Sequence, residues 1–217
     1  MKIINASYQL IRPHTFALAD RDAIYQMIER AGRTCYKSED KITPESAARF
    51  IKNIVRRGHE AMLEHASMTV KFIVDRGVSH ELVRHRIASF AQESTRYCNY
   101  SFDKFDGEVT FIKPYFFEIG TEEFEVWKNS CQTTENAYLA LLQMNRTPQE
   151  ARSVLPNSLK TEVIMTANMR EWRHFFKLRA AGTTGAPHPQ MAEVAVPLLK
   201  EVQNYMPELF GDIKAPD

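Results

Sequence analysis

The residues that promise chemistry in this chain are concentrated in one stretch, RHRIASFAQESTRY, residues 84–97. Arg84, His85 and Arg86 stand in a row, and Gln92, Glu93, Ser94 and Arg96 follow closely. Three cationic or potentially cationic groups side by side repel one another until an anion arrives. Guanidinium suits phosphate because its planar fork donates two parallel hydrogen bonds. Each charged hydrogen bond of that kind contributes about 1.5–3 kcal/mol. Small and polar residues at a turn expose backbone N–H groups, which can also cradle phosphate. Two anion sites this close imply two phosphorylated ligands or one long one. The competing reading is a solvated helix end, where cations suit the C-terminal dipole.

Other functions are narrowed by what surrounds the stretch. The chain has 217 residues and a formal net charge of +1, from 28 basic and 27 acidic side chains. A general nucleic-acid or membrane-surface binder usually shows a basic excess, so neither is expected. Cys35, Cys98 and Cys131 are far apart and form no CxxC, which suits a reducing, cytoplasmic compartment. The opening MKIINASYQL has no long apolar run of the signal-peptide kind, and no run approaches a membrane span. There is no GxGxxG, GxxxxGK[ST], GxSxG or HExxH. No metal site is expected: His59 and Glu60 are adjacent, but the next histidine, His65, falls on another helical face.

The elements that must position these groups follow from periodicity and punctuation. Residues 2–12 read as a strand, and 21–34 as a helix with Asp20 as N-cap. Thr43 and Pro44 open a second helix that stops at Gly58. Residues 68–75 form a buried strand broken by Gly77, and 79–86 a helix capped by Ser79. The segment after Arg86 is then a loop. A strand follows at 108–114, a long amphipathic helix at 121–144, and a second Thr-Pro helix start at 147, ending at Pro156. Residues 159–167 suit strand or helix, with strand favoured. A helix over 168–182 ends at Gly182, and the last helix, 190–206, contains Pro197. The expectation is one α+β domain over 1–217.

The pattern RHR, seven residues, then Ser resembles the signature of the flavin-dependent thymidylate synthases. GHEAMLEHASMTVKF (58–72), EARSVLP (150–156), TANMREW (166–172) and FFKLR (175–179) resemble further blocks of that family in the expected order. The run AAGTTGAPHPQMAE (180–193) departs from the family's shorter His-Ala-Gln-Trp-Glu core, with His188, Gln190 and Glu193 as its remnants.

The resemblance implies an α+β fold with a mostly antiparallel sheet against long helices, and active sites where the subunits of a homotetramer meet. It implies FAD as cofactor, deoxyuridine monophosphate (dUMP) as substrate, and 5,10-methylenetetrahydrofolate and NADPH as co-substrates. Arg84, His85, Arg86, Glu64, Asn168, Arg170 and His188 are the implied FAD contacts. Glu81, Gln92, Glu93, Ser94, Thr95, Arg96, Arg152 and Arg179 are the implied nucleotide contacts, with Gln92 standing where the family often has Glu. Arg152 is implied to reach the nucleotide of a neighbouring subunit. Arg179, near the pyrimidine ring, and His59 are the implied catalytic groups.

Plainer readings stand beside these roles. Asn168 suits a helix N-cap, Arg152 a surface ion pair with Glu150, Arg179 a helix-end charge, His59 a helix C-cap partner, and Cys98 a small buried residue. A non-catalytic nucleotide sensor would bind nucleotide without oxidising NADPH. An RNA-binding domain would use Phe90, Tyr97 and Tyr100 as stacking platforms.

Overall fold

In a computed structural model, which describes residues 1–11 and 18–215, the chain mixes helices and strands as expected. The helices are α1 (Leu18–Tyr36), α2 (Ser46–Arg56), α3 (Arg76–Leu82), α4 (Glu122–Gln143), α5 (Pro148–Ala151), α6 (Met169–Arg179), α7 (Pro189–Tyr205) and α8 (Pro207–Phe210). The strands are β1 (Lys2–Ile4), β2 (Ser7–Ile11), β3 (Ser67–Asp75), β4 (Ala88–Gln92), β5 (Thr110–Ile112) and β6 (Lys160–Asn168). Four strands form an antiparallel sheet in the order β2-β3-β6-β4, and β1 pairs in parallel with β5, Ile3 opposite Phe111. Strand period accounts for the two long strands. Met68, Val70, Phe72 and Val74 are buried along β3, and Thr161, Val163, Met165 and Ala167 along β6.

Several element ends differ from the periodicity reading, each for a local reason. The expected strand at 2–12 divides at Asn5–Ala6, and residue 12 lies outside the described residues. Helix α1 starts at Leu18, so Asp20 sits in its first turn instead of capping it. Thr43 does not cap α2: Ser46 Oγ accepts its N–H at 2.9 Å and donates to the buried Glu29, so Thr43 and Pro44 form a turn and Glu45 takes the cap position. The helix after β3 runs over Arg76–Leu82, not 79–86. Asp75, at the strand end, accepts the Val78 N–H at 2.9 Å and caps it before Ser79 can. Gly77 lies inside this helix, where a Cβ would come within 2.9 Å of the Asp75 carboxylate. The segment after Arg86 is strand β4 instead of loop.

Other boundaries agree. Gly58, at φ 70°, follows α2, and Thr121 caps α4. Thr147 opens α5 with a capping box, Glu150 accepting its N–H at 2.9 Å. Asn168 caps α6, which stops at Arg179 short of Gly182, and His188 caps α7 one residue earlier than expected.

The chain forms two compact units. One comprises Met1–Tyr8, Phe72–Arg84 and Phe90–Ile164. Its core joins Tyr138 and Cys131 of α4 to Tyr100, Val109, Phe111, Ala151 and Leu159. Glu135, buried on α4, accepts the Val109 N–H at 2.8 Å and lies 3.1 Å from the Met1 amine.

The other unit comprises Gln9–Lys71, His85–Ser89 and Met165–Asp217. Helix α6 is its centre, in contact with α7, α8 and the 3-10 turn Glu60–His65. Trp172, Phe175 and Phe176 are fully buried, with Phe176 edge-on to Phe210. Burial of a side chain of that size contributes about 1.5–3 kcal/mol. Trp172 also donates its indole N–H to the Met68 carbonyl. Arg173, buried among these rings, is satisfied by Glu60, Asp212 and the Leu209 carbonyl. Among the described residues, no helix is long and apolar enough to cross a membrane.

Thr121 Oγ accepts the Phe124 N–H and so satisfies one orphan donor of the long α4. Thr121→Ala is expected to lower stability by about 1 kcal/mol, and Thr121→Ser to lose little. Urea unfolding monitored by circular dichroism measures both.

Candidate functional site

Arg84 and Arg86 are exposed, and His85 between them is only 4% exposed. The imidazole turns inward onto α6 and forms a chain of hydrogen bonds there. His85 Nδ1 lies 2.8 Å from Glu171 Oε1, and Arg179 Nε donates to His85 Nε2 at 3.3 Å. An arginine Nε–H can only donate, so Nε2 must be the acceptor and Nδ1 must carry the proton. Burial drives the His85 pKa below its ordinary value; the Glu171 carboxylate opposes this, and the Arg179 charge and His174 add to the lowering. The ring is therefore neutral, with one tautomer set by its partners. Phe175 and His174 pack edge-on against it, at 5.1 and 5.8 Å between centroids.

Asn168 sets the start of this arrangement. Its Oδ1 accepts the N–H of Glu171 itself, at 2.8 Å. The capping reading holds, and Asn168 also lines a cavity of about 430 Å³ shared by Glu60, Glu64, Ile87, Arg170, Glu171, His174 and Lys177. Arg170 pairs with Glu64 at 2.6 Å, both about half exposed. An exposed pair of this kind is worth about 0–1 kcal/mol, so an incoming anion can take the guanidinium over. The structure thus gathers Glu64, Asn168 and Arg170 around one cavity, and sets His85 and Arg179 on Glu171. Periodicity missed Glu171, His174 and Lys177; the Asn168 cap followed by Glu171 and His174 at i, i+3 was the available signal. The ligand-type atoms of His85, Glu171 and His174 lie within 4.8 Å of one another. Both nitrogens of His85 are already engaged, Nδ1 with Glu171 and Nε2 with Arg179, and His174 meets the pair through a ring contact with His85.

Two expected residues stand apart from this cavity. His188 is exposed, and its Nδ1 accepts the Gln190 N–H at 3.3 Å. His59 lines a different cavity, with Arg33, Lys41 and Arg57.

The other unit carries the second expected anion site. Ser94 begins the turn after β4, its carbonyl accepting the N–H groups of Tyr97 and Cys98 and its Oγ that of Arg96. Thr95 is buried, and Arg152 Nη1 donates to its hydroxyl at 3.0 Å. Both line a cavity of about 350 Å³ with Arg76, His80, Ser153 and Asn157. Arg76 and His80 carried no sequence signal; their helix α3 was displaced by three residues in the periodicity reading. Arg96 donates its Nε to Gln149 at 2.8 Å and lies over the Tyr97 ring.

Gln92 and Glu93 face inward. Gln92 donates to the hydroxyls of Ser79 and Thr161 at 3.0 and 3.2 Å. Glu93 takes Lys160 at 2.9 Å and the Tyr100 hydroxyl at 3.1 Å. Glu81 lies at the end of α3, where its carbonyl accepts the Arg84 N–H. Cys98 is half-buried, and burial followed by the Glu93 charge pushes its thiol up.

Comparison with known proteins places the chain among relatives. The family model described as "Thymidylate synthase complementing protein" matches residues 18–208. The flavin-dependent thymidylate synthase of Corynebacterium glutamicum is 32% identical over 213 residues, covering 90% of this chain and 82% of that one. That of Geobacter sulfurreducens is 34% identical over 189 residues, covering 84% and 78%. Among solved structures, the UMP/dUMP methylase PolB of Streptomyces cacaoi, bound with 5-Br dUMP, shares the fold. Its TM-score is 0.75, with 21% identity and 97% and 96% of the two chains covered.

The geometry sets a titration. The His85 imidazole is expected to titrate below the ordinary value of about 6.5. Glu171→Gln removes the carboxylate that opposes burial, so its titration should move lower still. Folded-state His85 binds its proton less readily than unfolded His85, so the fold loses stability as pH falls through that range. Histidine NMR titration measures the shift; a His85 value at or above the ordinary one would contradict the arrangement.

Proposed function

The chain belongs to the flavin-dependent thymidylate synthase family, and on that premise we propose that it methylates dUMP to thymidylate, taking the carbon from 5,10-methylenetetrahydrofolate and the reducing equivalents from NADPH by way of FAD. The observation that carries the reading furthest is the cavity of Glu64, Asn168 and Arg170 beside the Glu171–His85–Arg179 chain. The family match runs over 18–208 across segments of both units, which supports one functional domain over 1–217. A homotetramer with active sites at subunit boundaries, in the cytoplasm, is part of the same reading.

The donor set around the cavity fits a dinucleotide. FAD carries a pyrophosphate and this chain has no Rossmann glycine loop, so cationic side chains must hold it. Arg170 of the lining, with exposed Arg84 and Arg86, would supply them; Asn168 and Glu64 line the cavity beside Arg170, and His188, which stands apart from it, is carried by the family resemblance alone. Bound FAD supplies hydride chemistry, which the protein orients. His85 takes a positioning part: its neutral ring is held by Glu171 and fixes Arg179.

Arg179 has the catalytic part. As the uracil ring is reduced, negative charge develops on its carbonyl oxygen. A guanidinium held ready for that oxygen stabilises the charge without reorganising. His59 assists on the co-substrate side. Thr95, Ser94, Arg96 and Arg152 hold the nucleotide phosphate, the Thr95 hydroxyl orienting Arg152. Glu81, Gln92 and Glu93 complete the nucleotide site, and the inward bonds of Gln92 and Glu93 make them supports of its turn. Cys98 lies next to the signature, but its raised pKa keeps the thiol protonated, which supports chemistry without a thiol nucleophile.

Purified protein should be yellow, or become so with FAD, and NADPH should bleach the flavin band. A protein that takes up no FAD would sink the proposal. Arg84→Ala should weaken FAD binding about tenfold or more and leave dUMP affinity near wild type. Arg152→Ala should do the reverse, raising KM for dUMP about tenfold or more. Cys98→Ala should keep its turnover; complete loss with the flavin spectrum intact would revive a thiol mechanism.

A further inference from the structure

A third cavity, of about 330 Å³, is lined by the end of α1, the turn after it and the end of α2. Its charged lining is all cationic or potentially cationic: Arg33, Lys41, Arg57 and His59, with no carboxylate among the lining residues. Two left-handed turns bring these groups together. Lys37, at φ 49°, reverses the chain after α1, and Gly58, at φ 70°, does so after α2. Arg33 is held in place for its role. Its Nε and Nη2 donate to Glu29 at 3.1 and 2.9 Å, its guanidinium lies over the Phe50 ring at 4.9 Å, and the other oxygen of the buried Glu29 accepts from Ser46. A pre-ordered guanidinium loses little freedom on meeting an anion. Tyr36, also in the lining, is 64% exposed, an unusual position for a large aromatic ring beside so much positive charge.

We propose that this cavity binds the 2′-phosphorylated adenosine diphosphate end of NADPH, with Lys41 and Arg57 on its phosphates and Tyr36 stacked on the adenine. The assignment rests on the reading of the chain as an NADPH-using enzyme. A run of phosphates matches a lining with several cations and no acid. A purine offers the flat partner that an exposed tyrosine ring takes by stacking. The Ser38 hydroxyl, also in the lining, is a further donor for a phosphate oxygen. The glutamate tail of a folate also lies beside a flat p-aminobenzoyl ring, but its carboxylates carry single, dispersed charges; the clustered, multiply charged phosphates of the nicotinamide dinucleotide suit a lining of several cations better.

The test is calorimetry on FAD-loaded protein, with 2′,5′-ADP as the probe and 5′-ADP as the control lacking the 2′-phosphate. Wild type should bind the probe about tenfold more tightly than the control, the worth of a charged hydrogen bond to phosphate. Lys41→Ala and Arg57→Ala should each weaken the probe about tenfold and raise KM for NADPH accordingly. Both variants should keep the wild-type flavin spectrum and their turnover when dithionite replaces NADPH. Arg57→Lys, which keeps the charge, should recover part of the affinity. Equal affinity for the two ligands in wild type, or unchanged probe affinity in both alanine variants, overturns the assignment. So does loss of dithionite-driven turnover or a raised KM for the folate alone, which would give the cavity to the folate tail. A wild type that binds the probe but makes no thymidylate with either reductant would defeat the reading of function and leave this site standing.

Discussion

A neutral imidazole held between a carboxylate and a guanidinium is the constraint on which the α6 side of this protein depends. An arginine at the end of a helix ordinarily samples many rotamers in water. Arg179 donates its Nε–H to His85 Nε2, which can accept it because burial keeps the ring neutral and its single N–H, on Nδ1, is donated to Glu171. The helix that carries both ends of the chain is itself fixed at three places. Asn168 caps it, the rings of Trp172, Phe175 and Phe176 anchor its apolar face, and Arg173 ties it to Glu60 and Asp212. The catalytic part proposed for this guanidinium needs that order before substrate arrives, because reorganisation during reaction would raise the barrier.

The same division of labour organises the proposed nucleotide side within its own unit. Gln92 and Glu93 spend their hydrogen bonds on Ser79, Thr161, Lys160 and Tyr100, and so brace the turn that Ser94 begins. Arg152 meets the buried Thr95 hydroxyl, while Arg96 is exposed. Polar groups with partners inside shape the site, and those at its surface remain for ligand. Burying an unpaired polar group would cost about 1–3 kcal/mol, which is why the inward members are so fully bonded.

Much of this was legible from residue types and spacing. The strand expected at 68–75, the long α4 and the Thr147, Asn168 and Gly58 boundaries follow from period and punctuation, while the segment 159–167, which suited strand or helix, forms strand over 160–168. The charges of 84–97 suggested anion binding, although composition alone favoured a solvated helix end. The family resemblance implied the ligands. What escaped was decided by contacts distant in sequence or by competing caps. Asp75 out-competes Ser79 because a strand-end carboxylate reaches Val78 first. Ser46 is drawn to Glu29, seventeen residues away, which moves the start of α2. His85 looked like one more cation in a row, and only its burial against Glu171 reveals a neutral hydrogen-bond relay. The basic cavity at Lys41 and Arg57 depends on two helix ends meeting, which no single stretch announces.

The central claim is that this chain makes thymidylate with a flavin in place of a thiol. The direct measurement is mass spectrometry of the nucleotide product after dUMP, 5,10-methylenetetrahydrofolate and NADPH are incubated with FAD-loaded protein and with FAD-stripped protein. The account predicts thymidylate from the loaded protein only, and equally from its Cys98→Ala form. A loaded protein that binds dUMP and is reduced by NADPH, yet forms no thymidylate, would contradict it.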